Sequence, residues 1–168
     1  SNQVVFTPNS GFTGVDTFKY KIKYSTNSFS NEATVTVNVA PRANNDAATV
    51  TQNVASTITV LGNDTYNGTP TVAITQAPAN GTASVNASGQ IVYTSTAAFT
   101  GTNTIRYTVT TANGTSNEAT VTLTVVPPAP VAVNDSAATL QNQAVTINVL
   151  GNDTVNGLAT TINLTAGS

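Results

Sequence analysis

The chain has 168 residues, of which 7% are charged, with a formal net charge of −2 and no His, Cys, Met or Trp. That balance gives no electrostatic reason to expect nucleic acid or an anionic membrane as partner, and the missing cysteines exclude a disulfide framework or a thiolate metal site. No apolar run approaches the roughly 18 residues of a membrane span, and no charged-then-apolar leader opens the chain, so the expectation is an internal piece of a longer protein without membrane insertion. About a fifth of the residues are Thr.

The chain says nearly the same thing twice. Asn31-Glu32-Ala33-Thr34-Val35-Thr36-Val37 returns as Asn117-Glu118-Ala119-Thr120-Val121-Thr122-Leu123, and Val60-Leu61-Gly62-Asn63-Asp64-Thr65 returns as Val149-Leu150-Gly151-Asn152-Asp153-Thr154. The copies lie roughly 86 to 89 residues apart, about the size of one small β-domain. Three units are therefore expected: residues 1–40 as the C-terminal half of a first repeat (strands E to G), 41–127 as a complete second repeat, and 128–168 as the N-terminal half of a third (strands A to C).

In the first unit, Phe18, Tyr20, Ile22 and Tyr24 alternate with Lys19, Lys21 and Lys23, so one strand carries an apolar row and a basic row on opposite faces. The basic row reads as a solvated face on which Lys discourages stray strand pairing; as a binding feature it would suit an acidic polysaccharide. Phe12-Thr13-Gly14 and its copy Phe99-Thr100-Gly101 read as plugs at the end of each core.

The second unit resolves into seven short strands: A 46–52, B 55–61, C 71–76, D 82–86, E 90–95, F 103–111 and G 118–126. Ile58 and Val60, then Ile105, Tyr107 and Val109, then Val121, Leu123 and Val125 keep strict period-2 alternation against Thr-rich rows, which suits β-branched side chains on a wet sheet face. Asn67-Gly68, Asn80-Gly81, Ser88-Gly89 and Asn113-Gly114 supply turns, the last as a hairpin between F and G. Seven strands with turns at this spacing predict an all-β immunoglobulin-like sandwich. Tyr20 and Tyr107 are similar to the corner tyrosine of that fold, whose hydroxyl ties back to backbone. Pro41 before the second unit, and Pro127, Pro128 and Pro130 before the third, form short stiff connectors.

Asn-Asp, Val-Leu-Gly-Asn-Asp, Tyr-Thr, Phe-Thr-Gly, Tyr-Thr-Val-Thr and Asn-Glu-Ala-Thr-Val, in that order, resemble bacterial cadherin-like and immunoglobulin-like tandem repeats of large secreted surface adhesins, including those of gliding Bacteroidetes. The resemblance implies tandem seven-stranded sandwiches that extend a distal binding domain from the cell surface, in contact with neighbouring repeats. A surface glycan or other host or substratum ligand would be met by domains outside this sequence. Many such repeats take calcium on acidic loops; here the equivalent loop, Asn63-Asp64-Thr65-Tyr66-Asn67-Gly68-Thr69, keeps one carboxylate.

The seven acids fall near strand ends, six as repeat-equivalent pairs: Glu32/Glu118, Asp46/Asp135 and Asp64/Asp153. In a sandwich of alternating strand direction, Asp46, Asp64 and Glu118 share the pole that faces the preceding repeat, and Asp16 lies on the facing corner of that repeat. The four form a candidate calcium set at the junction, since calcium takes six to eight oxygens; the alternative is turn capping. No residue pair offers an activated nucleophile, so no enzyme is expected. The leading expectation is a structural spacer of a cell-surface adhesin or filament. A carbohydrate-binding sandwich is an alternative, and so is a fibre subunit whose half-repeats complete one another between copies.

Overall fold

The computed structural model describes residues 2–158 and 160–165. The chain divides into two compact units, Ser1–Val125 and Val126–Ser168.

In the first unit, β1 (Gly14–Tyr20) and β4 (Ala33–Val39) form an antiparallel ribbon, with Gly14 opposite Val39 and Tyr20 opposite Ala33. Between them β2 (Lys23–Ser25) and β3 (Ser28–Phe29) close a small hairpin. The complete repeat follows as β5 (Asp46–Thr51), β6 (Ser56–Ile58), a 3-10 turn (Val60–Gly62), β7 (Thr71–Gln76), β8 (Thr82–Val85), β9 (Ile91–Thr94), β10 (Gly101–Thr111), β11 (Gly114–Thr115) and β12 (Ala119–Val126). These match strands A to G, with strand B shortened where the 3-10 turn begins.

One sheet of this repeat runs β5, β12, β10, β7, with β11 beside the end of β10; the other runs β6, β9, β8. Strand A thus lies beside G. The Thr-rich rows face water, and the alternate rows meet between the sheets. Ile58, Val60, Ile91, Tyr93, Ile105, Tyr107, Val109, Val121, Leu123 and Val125 are all buried there, with Phe99 packed against them as the end plug. The chain is all-β and immunoglobulin-like.

The half-repeats depart from expectation. Residues 2–9 form no strand, so strand E of the first repeat is absent. Among the described residues Val126–Ser168 contain no strand beyond the end of β12, only one bridge between Val131 and Thr154. The complete repeat supplies the reason. There A pairs with G, B with E, and C with F, while E pairs with B and D. Within residues 128–168 none of A, B or C has its partner, and within 1–40 only F and G have each other. Alternation sets the face of a strand, but a ladder needs a second strand to satisfy its amides. Rows that no second sheet covers stay wet: Tyr20, Ile22 and Tyr24 are exposed where Tyr107 and Val109 are fully buried, and Val131, Val133, Leu140 and Ile147 are exposed too.

Candidate functional site: the junctional corner and its tyrosine

The corner of the complete repeat that faces the first half-repeat is built by Ala43–Asp46 and by the segment from Val60 to Thr65. Arg42 and Thr65 exchange backbone hydrogen bonds in both directions at 2.9 Å. The Asn44 amide donates to Asp64 Oδ1 at 2.7 Å, its side chain donates to the Asn63 carbonyl at 2.6 Å, and Asn63 Nδ2 donates to the Asn45 carbonyl at 3.0 Å. The connector is therefore bonded into the repeat that follows it.

Tyr107 enters this corner from β10 with its side chain fully buried. Its hydroxyl lies 2.9 Å from the Asn44 carbonyl, 2.9 Å from Asp46 Oδ2, 3.2 Å from the Val60 carbonyl, and 3.2 and 3.1 Å from the two Asp64 oxygens. One phenolic proton serves four acceptor groups. Partial burial pushes both carboxyls above their ordinary value, and the Asp64 charge adds to the effect at Asp46. Hydrogen bonds from Tyr107 to both, and from the Asn44 amide to Asp64, oppose that rise. Burial and the two carboxylates hold the proton on Tyr107. The cluster fastens β10 to strand A and to the loop after strand B.

Two further ties complete the corner. The Asn117 side chain clips Ala43, accepting from its amide at 3.2 Å and donating to its carbonyl at 2.9 Å. The Thr120 amide donates to Asn45 Oδ1 at 2.9 Å. At the other end of the sandwich, buried Asn103 accepts from the Ala79 amide and donates to the Asn80 carbonyl and to the Tyr93 hydroxyl. Sequence alone gives Asn103 only as the counterpart of Asp16 that lacks its acid, and gives Asn117 no role. Asn103 shares the parity of Ile105 and Tyr107, which was the available signal that it points into the core.

The four proposed calcium ligands are not gathered in one place. Asp46 and Asp64 meet at Tyr107. Glu118 turns to the outer sheet face, where Thr75 Oγ1 donates to it at 2.7 Å and Arg106 pairs with it at 2.8 Å, holding its carboxyl below the usual range. Asp16 caps the neighbouring Thr17 amide at 2.8 Å. Among the described residues no group of three or more His, Cys, Asp or Glu stands in metal-holding proximity. The lysine row is partly engaged, with Lys19 paired to Glu32 at 2.7 Å and Lys23 lying 5.9 Å from the Phe29 ring.

The first half-repeat does place its E–F corner against this pole. Ser10, Gly11, Phe12 and Thr13 line a cavity of about 460 Å³ with Val39, Ala40, Arg42, Asn44 and Thr65. Gly14 lies beside the Asn67 side chain, where a Cβ would make an ordinary 3.4 Å contact; its φ of +122° is what calls for glycine.

This architecture is that of a bacterial immunoglobulin-like module with a tyrosine-tied junctional corner. The bacterial Ig domain family matches residues 38–124, just over half of the sequence, and the chain belongs to that family. No curated protein matches the chain. Among solved structures it is similar to an endo-fucoidan hydrolase of glycoside hydrolase family 107, at 17% identity and a TM-score of 0.39; the likeness covers 72% of this chain and 20% of that one.

Proposed function

We propose that the chain is a spacer segment of a repetitive bacterial cell-surface protein, exported and extracellular, in which tandem sandwiches carry a distal binding domain away from the cell. The observation that carries this reading is the bound connector. Pro41 and Ala43 are buried, Arg42 is bonded both ways to Thr65, and Gly14 of the preceding ribbon sits against Asn67. A free linker would let two repeats swing, whereas a connector bonded into the next repeat converts repeat number into length. Stability in such arrays is a sum of repeat and nearest-neighbour terms, so these contacts set the stiffness.

The absence of cysteine permits a direct test. Asn27→Cys on the first hairpin and Ser88→Cys on the turn before β9 give two unique dye positions. A narrow inter-dye distance distribution is expected, broadening when two glycines are inserted after Ala40; a distribution already broad in the parent chain would overturn the proposal. A calcium contribution is a separate proposal that rests on Asp46 and Asp64, and a melting temperature equal in calcium and in chelator would remove it.

A further inference from the structure

The first and last strands of the complete repeat are neighbours, β5 beside β12. Side-chain ties show which way they run. Asn117, just before β12, clips Ala43, just before β5, and further along each strand the Thr120 amide reaches Asn45 Oδ1. Tyr107 marks the same pole, standing opposite Ala119 while its hydroxyl bonds Asp46. At the other pole, past the end of β5, the Asn53 amide donates to Ser95 Oγ in the turn that leads to Gly101, which opposes Val125. β5 and β12 therefore run parallel, both away from the junctional corner.

The chain enters this pair at Ala43 and leaves it at Val126, at opposite poles. Tension along an array of repeats thus draws β5 and β12 past one another along their own axes. Parallel ladder bonds are evenly spaced, and under that load they are strained together rather than opened in turn from one end. Asn117 and Asn45 carry the pair beyond the ladder onto the connector, where force first arrives. Every group involved lies between Ala43 and Val126, inside the complete repeat.

We propose that the β5–β12 pair, locked at its entry by Asn45 and Asn117, is a shear clamp that keeps the repeat folded while it transmits tension. The inference deepens the spacer reading and rests on it for the origin of the load: repeats in series between a cell and a distal domain all carry the same force. Tyr93, on β9 in the other sheet, lies off this path. Its hydroxyl donates to the Asn80 carbonyl and accepts from Asn103, so it supports the repeat without joining β5 to β12.

Constant-force measurement on the full 168-residue chain, held by its two ends, tests the clamp. The β1–β4 ribbon gives first, because Gly14 and Val39, where the chain enters and leaves it, face each other. Opening of the complete repeat then releases roughly 300 Å of chain. Asn117→Ala and Asn45→Ala should each raise the unfolding rate of the repeat under load by about three- to ten-fold, the effect of losing bonds that break before the transition state. Tyr93→Phe should lower the urea midpoint and leave the rate under load in place. Moving the second handle to Ala112→Cys, in the exposed turn after β10, puts both pulls at the junctional pole. β5 then peels from β12 from one end, and the repeat should yield at a lower force. Equal forces in the two pulling geometries, or a rate under load that follows the urea midpoint through all three variants, would overturn the proposal. A broad inter-dye distribution removes the spacer reading alone, since the comparison of pulling geometries does not depend on it.

Discussion

The single Tyr107 proton is shared among two carboxylates and two carbonyls, so removing the hydroxyl takes a donor from the whole cluster, although Asp64 keeps the Asn44 amide. Tyr107→Phe is expected to cost about 1–3 kcal/mol in a urea titration of the whole chain, the usual penalty for orphaned buried acceptors. Asp46 and Asp64 have folded values above the 3.8 they return to on unfolding. Each therefore contributes stability that is complete below about pH 4 and is lost as pH rises through its folded value. Stability of the complete repeat should fall as pH rises above about 4, and Asp46→Asn should flatten that slope. Tyr107 was legible as a corner tyrosine because it repeats Tyr20 and alternates with a wet row. Its partners were not, since spacing that brings four acids to one pole does not say which turn outward. Glu118 is drawn to the outer face by Thr75 and Arg106, two residues distant from it in sequence.

At the scale of elements, the seven strands of the complete repeat fall where alternation and turn dipeptides put them, because each has a partner within reach. The turn before β10 carries a strain that its copy avoids. Ala98 has φ +66°, and the equivalent position in the first half-repeat is Gly11 at φ +78°. In both turns the following Phe amide bonds back three residues, Phe99 to Thr96 and Phe12 to Asn9. A Cβ in left-handed backbone costs about 1–2 kcal/mol, partly offset by the entropy a glycine loses on folding. Ala98→Gly is therefore expected to stabilise the repeat by about 1 kcal/mol or less, read as a higher urea midpoint. Strand B ends early for a different reason: the chain turns at Val60–Gly62 so that the Val60 carbonyl and Asp64 reach Tyr107. Period-2 counting carries on through Val60 because its side chain still points inward.

For the molecule as a whole, the connector is the part on which a spacer depends. Arg42→Pro removes the amide that donates to the Thr65 carbonyl, while its fixed φ keeps the chain extended. The expected outcome is a broader inter-dye distance distribution across the junction, with the complete repeat destabilised by about 1 kcal/mol. Repetition, the positions of strands and turns along the chain and the inward rows were determined by the sequence alone, because they rest on local period and on residues that recur. Three things were decided only in tertiary structure. One is the placing of strand A beside G. Another is the gathering of Asp46 and Asp64, without Glu118 or Asp16, on one hydroxyl. The third is the failure of residues 2–9 and of the described residues of the Val126–Ser168 unit to form strands of their own. All three depend on which strand lies alongside which, and hydrogen-bond partners far apart in sequence leave no mark on local alternation.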